Sequence, residues 1–162
     1  MPTKIEEGEI FSVPLDDGRY AVGVAARRTP QKGRTWGICG YFFGPFVNVS
    51  NFETMSRRIT SESARCVLRS GALHFHADKW KVVGRIDPWD RKAWLLPDFC
   101  RYERHTDRFF RVRYDENLAR VLSETPIPDC GGLPEAVLYG AEAAEHRLTD
   151  LMSDLPALDR LS

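Results

Sequence analysis

The chain has 162 residues, which fits one domain with a sizeable core, since roughly 70% of the unfolded surface is buried at this length. Its 23 Lys and Arg residues balance 23 Asp and Glu residues, so no global field favours nucleic acid. No segment approaches the ~20 apolar residues that cross a bilayer, which argues against a membrane-inserted protein.

The charges are unevenly distributed along the chain. Residues 1–114 hold 20 of the 23 basic and 13 of the 23 acidic residues, a net charge of +7, and residues 115–162 carry the compensating −7. One interpretation is that an acidic C-terminal segment packs beside a basic body, and another is that two charged patches face different partners. We favour the first and predict a single domain over residues 1–162, with a β-rich body over about 1–114.

The four cysteines are widely scattered, at positions 39, 66, 100 and 130. The N-terminus has no apolar run resembling a signal peptide. Two disulfides are possible in principle, but we expect free, largely buried thiols and a reduced, cytoplasmic protein.

Residues 8–27 predict a β-hairpin that turns at Asp17 and Gly18. Apolar side chains alternate along both strands: Phe11, Val13 and Leu15 on the first, and Tyr20, Val22 and Val24 on the second. One side of this hairpin is therefore expected to be buried. Pro14 donates no backbone hydrogen bond, so the first strand should lie at a sheet edge or break there.

Three later segments complete the predicted fold. Residues 35–43 resume as a third, glycine-rich strand, and hairpins are expected at 73–86 and 99–114. Helical periodicity predicts one amphipathic helix over about 134–153, with Pro134 in its first turn. The expected fold class is α+β: a strongly curved, mainly antiparallel sheet, partly rolled and barrel-like, with the C-terminal helix packed on it.

The hairpin at 99–114 is expected to have faces of different character. Its apolar face would carry Cys100, Tyr102, Phe110, Val112 and Tyr114. Its charged face would carry Arg101, Glu103, Arg111 and Arg113, with Glu103 neutralising one arginine. That charged face is the basis of the alternative hypothesis, a nucleic-acid-binding protein, together with four residues of a basic loop: Arg27, Arg28, Lys32 and Arg34.

No residue pattern indicates catalysis, a metal or a cofactor. His74 and His76 share a face of a predicted strand, but two ligands do not define a metal site. Cys100, His105 and Asp107 form the one compact nucleophile candidate, and a hairpin would point Cys100 away from His105. We therefore predict a protein that is not an enzyme, with no catalytic, metal or cofactor-binding residues.

The segment from Asp87 to Trp94 combines two tryptophans with several charges in a short connection. Exposed Trp and Arg residues dominate protein interfaces, so this segment is a candidate contact surface. An equally good interpretation is that both tryptophans fold back over the end of the rolled sheet. The predicted partner contacts are Trp89, Asp90, Arg91, Trp94, Arg101, Arg111 and Arg113.

The opening residues 8–23, GEIFSVPLDDGRYAVG, resemble the start of the bacterial polymorphic-toxin immunity protein 26 family. WKVVG at 80–84 and LPEAVLYG at 133–140, expected to open the final helix, look compatible with that family. The resemblance implies a cytoplasmic, non-enzymatic protein whose partner is a cognate toxin domain, which it binds and neutralises. The family supplies no catalytic residues to transfer.

Overall fold

The computed structural model describes residues 5–30, 36–49, 59–72, 75 and 79–158. These residues form nine strands: β1 (Glu9–Pro14), β2 (Tyr20–Pro30), β3 (Trp36–Phe46), β4 (Cys66–Gly71), β5 (Lys81–Arg85), β6 (Phe99–Glu103), β7 (Arg108–Tyr114), β8 (Val121–Ile127) and β9 (Leu138–Tyr139). They also form the helix α1 (Ala141–Met152) and two 3₁₀ turns, Ser61–Ser63 and Arg91–Ala93.

The strands lie in two sheets. The large sheet has the order β5-β1-β2-β3-β4-β9, antiparallel except for the pair β4 and β9, and the small sheet has the antiparallel order β6-β7-β8. The predicted α+β class, with a mainly antiparallel sheet and a C-terminal helix, is confirmed. Among the residues described, neither sheet closes into a barrel.

The N-terminal hairpin forms where the sequence predicts it. Gly18 adopts a φ of 86°, a conformation that costs glycine little. β1 is an inner strand, between β5 and β2, but its last pairing with β5 is at Ser12, so Pro14 ends the strand where one neighbour has already stopped. Of the two places expected for Pro14, the strand break is the one that occurs.

Both faces of this hairpin are buried, rather than the one side expected. Phe11 pairs with Gly23 and therefore shares a face with it, whereas Ile10 pairs with Val24 on the opposite face. A Cβ on Gly23 would lie 2.4 Å from the Phe11 ring, so glycine is required for this close approach. The hairpin thus separates two hydrophobic cores.

Each core has a distinct cover. The first lies between one face of the large sheet and α1 and includes Phe11, Phe42, Phe75, Trp80, Ala144, Leu148 and Met152. The second lies on the opposite face and includes Ile10, Val22, Val24, Tyr41, Phe43 and Trp94. The large sheet is therefore packed on both sides, which makes it the centre of the molecule.

The hairpin predicted at 73–86 is wrong in its pairing. β5 pairs with β1, and Phe75 is helical and buried in the first core. Residues 73, 74 and 76–78, including His74 and His76, lie outside the described residues. The alternation in this segment reflects burial of Phe75 and Trp80, whose rings pack edge to face at 5.3 Å.

The C-terminal helix is shorter than predicted because it begins at Ala141 instead of near Pro134. The preceding residues are extended: Cys100 pairs with Glu135, and Leu138–Tyr139 adds to β4 as a parallel strand. Leu133–Gly140 therefore leads into the helix without being part of it. Backbone pairing with both sheets outweighs the helical periodicity of these residues.

The turn of the N-terminal hairpin holds the end of α1. Arg19 donates hydrogen bonds to the carbonyl oxygens of Leu155 at 2.7 Å and Met152 at 3.1 Å. The Thr149 hydroxyl accepts a hydrogen bond from the Asp16 backbone N–H at 2.9 Å. These hydrogen bonds hold the end of α1 against the turn of the N-terminal hairpin.

The expectation of four free thiols is wrong for Cys100 and Cys130, which form a disulfide with their Cα atoms 5.4 Å apart. The Cys100 N–H donates to the Pro134 carbonyl oxygen at 2.7 Å, and the Cys100 carbonyl oxygen accepts from the Ala136 N–H at 2.8 Å. These two hydrogen bonds bring the segment after Cys130 beside Cys100. Cys39 and Cys66 are free.

No helix among the described residues is long and apolar enough to span a membrane.

Candidate protein-binding surface

The loop with the two tryptophans folds inward over the second core. Trp94 is only 4% exposed and packs edge to face against Tyr41, with the ring centroids 5.2 Å apart. Trp89 is half-buried and stacks on Trp94 at 5.9 Å. The interpretation that both rings cover the end of the sheet therefore describes their positions.

Three side chains of this loop have hydrogen-bond partners within the protein: Trp89, Asp90 and Arg91. Glu7 accepts hydrogen bonds from Trp89 Nε1 at 3.0 Å and from Arg91 Nε at 2.5 Å. Arg91 also donates to Asn117 Oδ1 at 2.9 Å, and Asp90 accepts from the Lys92 backbone N–H at 3.0 Å. These contacts assign the loop a structural part, because a partner would have to compete with them.

The small sheet does not have the charged face that the sequence predicts. In the observed register Arg101 pairs with Phe110 and Cys100 with Arg111, so Arg101 lies on the opposite face from Arg111 and Arg113. Directly opposed residues share a face, and a slip of one residue exchanges the faces. The arginine-rich face expected for nucleic acid is thereby divided in two.

Arg101 is neutralised on its own face. Its guanidinium lies 4.5 Å from the centre of the Phe110 ring, and its Nε is 3.0 Å from Glu124 Oε1. Glu103, expected to pair with an arginine, accepts a hydrogen bond from the Thr106 hydroxyl at 3.0 Å. The Arg101 side chain therefore reaches from β6 across β7 to Glu124 on β8, which neutralises its charge.

The opposite side of the small sheet carries Arg111, and we call it the Arg111 face. Cys100, opposite Arg111, is its buried member, while its exposed and half-buried members are Tyr102, Phe109, Arg111, Arg113, Ser123, Thr125 and Ile127. The register arranges these residues in rows across the strands: Tyr102, Phe109 and Ile127 form an apolar row, and Arg111 and Thr125 belong to the next. An apolar row therefore lies beside an arginine on one face.

Asp98 is the carboxylate that serves both arginines of this face. It lies 3.2 Å from Arg113 Nε and 4.0 Å from Arg111 Nε, and its side chain is 21% exposed. The hydrogen bond from Arg113 to Asp98 raises the pKa of Arg113. The side chains of Arg111 and Arg113 are 52% and 63% exposed, so both guanidiniums are accessible.

Sequence reasoning missed Tyr102, Phe109 and Ile127 as surface residues. It placed Tyr102 on a buried apolar face, whereas Tyr102 is 50% exposed and its hydroxyl donates to Asp107 Oδ1 at 2.6 Å. The signal that would have found these residues is the turn length. Four residues, 104–107, separate the paired positions Glu103 and Arg108, and this number sets the register.

The cysteines are poor nucleophiles in this structure. Cys100 is in the disulfide, which removes it from the candidate grouping with His105 and Asp107. Burial raises the pKa of the Cys39 and Cys66 thiols to about 12, so both stay protonated near neutral pH. The described residues contain no group of three or more side chains suited to a metal ion.

Two grooves in the described part of the chain carry mixed polar and apolar linings. One of about 620 Å³ lies between the 3₁₀ turns and is lined by Glu62, Arg85, Asp87 and Lys92, among others. Another of about 350 Å³ contains Cys66 and the pair of Arg147 Nη2 and Glu135 Oε1, 3.0 Å apart.

Arg27, assigned to a basic loop, is buried, whereas Lys32 and Arg34 of that loop lie outside the described residues. Arg27 is 3% exposed, and its Nε donates to the Glu116 carbonyl oxygen at 2.8 Å. Burial lowers the pKa of this arginine, and the nearby Arg91 adds to the effect. Arg27 is therefore unavailable to a phosphate backbone, which further weakens the nucleic-acid hypothesis.

Comparison with known proteins identifies the family. Residues 6–111 match the family model described as Immunity protein 26, a match that covers more than half of the chain. The chain belongs to the immunity protein 26 family. Searches of the curated proteins and of the solved structures found no match.

The immunity protein 26 match extends from before β1 into β7 and ends at Arg111. It includes the opening hairpin and the residues WKVVG at 80–84, two of the three segments that carry the resemblance. Arg113, β8 and α1 lie beyond it. Family membership makes this an immunity protein and confirms the predicted family.

Proposed function

We propose that this protein binds a cognate bacterial toxin domain in the cytoplasm and neutralises it by direct contact, without catalysis. The match of residues 6–111 to the immunity protein 26 family carries this proposal. The state of the cysteines supports a non-catalytic role, because two are joined and the other two have thiol pKa values of about 12. An immunity protein needs a stable body and a surface shaped for its toxin.

The contacts predicted from the sequence differ in their availability. Trp94 is buried, and Trp89, Asp90 and Arg91 are held by internal hydrogen bonds. Arg101 is paired with Glu124. Arg111 and Arg113 are the exposed members that share a single carboxylate, so we propose that the partner contacts centre on these two.

The experiment uses the toxin domain encoded by the neighbouring gene. Co-expression of this protein should restore growth to bacteria that produce that domain, and the two proteins should elute together in a stoichiometric complex. A toxin domain of a different class, expressed in the same host, is the control and should not be neutralised. Growth arrest that persists, with no complex formed, would contradict the proposed function.

The cytoplasmic location is tested by the redox state of Cys100 and Cys130 and by cell fractionation. Cytosolic proteins seldom keep disulfides, because cellular reductants maintain their cysteines as thiols. In cytoplasmic protein trapped by rapid alkylation in its native cell, Cys100 and Cys130 should be thiols; a disulfide between them, as in this structure, would indicate an oxidising compartment and contradict the location. Fractionation of the same cells should recover the protein with cytoplasmic markers, and recovery with periplasmic or secreted markers would contradict the location.

A further inference from the structure

We propose that the Arg111 face of the small sheet is the surface that contacts the toxin domain, and that it recognises a carboxylate flanked by an apolar side chain. This inference rests on the proposed function and adds the surface and the chemistry of the partner.

The small sheet is anchored to the body at one end and exposed at the other. Phe99 and Val112 are buried at the anchored end, where Phe99 packs with Cys39 and Leu118. Further along the strands, Tyr102 is 50% exposed. The Arg111 face is thus carried by a supported sheet whose outer part is open to a partner.

Arg111 has donors available for a carboxylate. Its Nε is 4.0 Å from Asp98 Oδ2, which is beyond hydrogen-bond length, while Asp98 accepts two hydrogen bonds from Arg113, at 3.2 and 3.4 Å. One carboxylate therefore faces two guanidiniums. A second carboxylate, supplied by a partner, would complete the arrangement with a bidentate pair to Arg111.

The apolar row gives this charge recognition a hydrophobic border. The rings of Tyr102 and Phe109 lie 4.9 Å apart, and Ile127 is opposite Phe109 on the next strand. Asp107 accepts a hydrogen bond from the Tyr102 hydroxyl, which fixes the ring at the surface. Tyr and Arg sidechains supply most of the binding energy at many interfaces, especially where neighbouring contacts exclude water. A partner with an apolar residue beside its carboxylate would satisfy both rows.

The test measures the affinity of the full chain for the catalytically inactivated toxin domain from the neighbouring gene. We expect Arg111→Glu to weaken binding by about 30-fold or more, as for an interface hot spot. Tyr102→Ala should weaken it by about 10-fold, and Arg111→Lys should fall between wild type and Arg111→Glu. Arg85→Glu, a charge reversal of an exposed arginine on β5, is the matched control and should change affinity by less than about 3-fold.

Circular dichroism and thermal unfolding of each variant separate loss of the surface from loss of the fold. Binding by a folded Arg111→Glu protein at wild-type affinity would overturn this surface while leaving the proposed function intact. Failure of the wild-type chain to bind or protect would overturn the proposed function itself. Binding of RNA through Arg111, with affinity falling steeply as salt rises, would replace the carboxylate-bearing protein partner with nucleic acid.

Discussion

The large and small sheets differ in how they are held. The large sheet has a hydrophobic core on each face, and Ile10, Phe11, Val22 and Val24 on its central strands are fully buried. The small sheet is buried at one end, and its outer strand β8 is exposed along almost its whole length. A disulfide and surface ion pairs hold the small sheet where apolar packing does not.

This difference separates stability from recognition. Substitution within the large sheet disturbs close packing on both faces, so that sheet has little surface to change for a new partner. Substitution of an exposed residue of the Arg111 face, such as Arg111 or Arg113, leaves both cores of the large sheet untouched. For the toxin binding proposed above, the small sheet therefore offers a surface that can change without disturbing either core.

The largest expected loss of stability comes from removing the Phe11 ring from the core on one face of the large sheet. This ring packs against Phe42, Phe75 and Trp80, at centroid distances of 4.9 to 5.8 Å. Phe11→Ala should lower the free energy of unfolding in urea by about 3 to 5 kcal/mol because it leaves a cavity.

Phe109→Ala is the matched control for Phe11→Ala on the small sheet. Phe109 is half-buried, so the free energy of unfolding should fall by only about 1 kcal/mol. Equal losses for the two variants would contradict the contrast between the sheets.

The next effect comes from removing the disulfide. Cys100 and Cys130 are 30 residues apart, and the chain-entropy estimate for such a loop is about 3.6 kcal/mol. Cys130→Ser should lower the free energy of unfolding by this amount, and amide hydrogen exchange should increase chiefly in β7 and β8, which lie within the loop.

Dithiothreitol provides the control for Cys130→Ser, because it reduces the disulfide to two thiols and is itself oxidised to a cyclic disulfide. It should reproduce the stability loss in the wild-type protein and leave Cys130→Ser unchanged. Unaltered exchange in β7 and β8 after reduction would show that packing alone holds the small sheet.

The two sheets also show what a sequence can predict here. Alternation correctly located the hairpins at 8–27 and 99–114, because turn residues and apolar periodicity are local signals. The assignment of faces was wrong in both. Phe11 was placed with Val22 and Val24 but pairs with Gly23, and Tyr102 was placed with Phe110 but pairs with Phe109.

Both errors are register shifts of one residue. Side chains alternate along a strand, so the sequence shows which residues of one strand share a face. Which residues of the neighbouring strand lie on that same face depends on the number of residues in the turn. That number is decided by a few backbone hydrogen bonds, such as Leu15 N–H to Arg19 O at 2.8 Å. For this reason the sequence does not show that Tyr102 and Phe109 share a face with Arg111, although it does predict Arg111 and Arg113 as partner contacts.

The helix start and the disulfide depended on long-range contacts. Glu135 pairs with Cys100, and Leu138 pairs with Arg69, so residues far apart in the chain keep the segment before Ala141 extended. The helical periodicity within 134–153 is a local pattern and gives no information about pairing with those strands. The same pairing brings Cys130 to Cys100, which scattered cysteine positions alone do not reveal.

A smaller effect should follow from releasing the end of α1. Arg19 donates to carbonyl oxygens at the end of this helix, and its side chain is 22% exposed. Arg19→Ala should lower the free energy of unfolding by about 1 to 2 kcal/mol, measured in urea. Binding to the toxin domain should be unchanged because the Arg111 face belongs to the other sheet.

Asp17→Asn is the control for Arg19→Ala. It removes the carboxylate that pairs with Arg19 at 2.8 Å but keeps the bonds from Arg19 to the helix. We expect a loss below about 1 kcal/mol, since the ion pair is partly exposed. A larger loss for Asp17→Asn than for Arg19→Ala would show that the ion pair, and not the helix end, is the stabilising contact.

The smallest effect concerns pH and also acts on the large-sheet side of the molecule. His146 Nδ1 on α1 lies 2.5 Å from Asp16 Oδ2 in the hairpin turn, and Glu142 lies 3.8 Å from His146 Nε2. The hydrogen bond to Asp16 raises the pKa of His146 above its ordinary value of 6.5, with smaller contributions from the neighbouring acids. The folded protein therefore favours the protonated ring.

A raised pKa stabilises the fold fully below the ordinary value, and the stabilisation is lost as pH rises through the folded-state pKa. Wild type should accordingly exceed Asp16→Asn in stability most at about pH 5.5 and least at about pH 8.5. In an NMR titration, the midpoint of His146 should lie above 6.5 in wild type and shift down in Asp16→Asn. A wild-type midpoint at or below 6.5 would contradict a stabilising contact between His146 and Asp16, and so would an equal stability difference between the two proteins at both pH values.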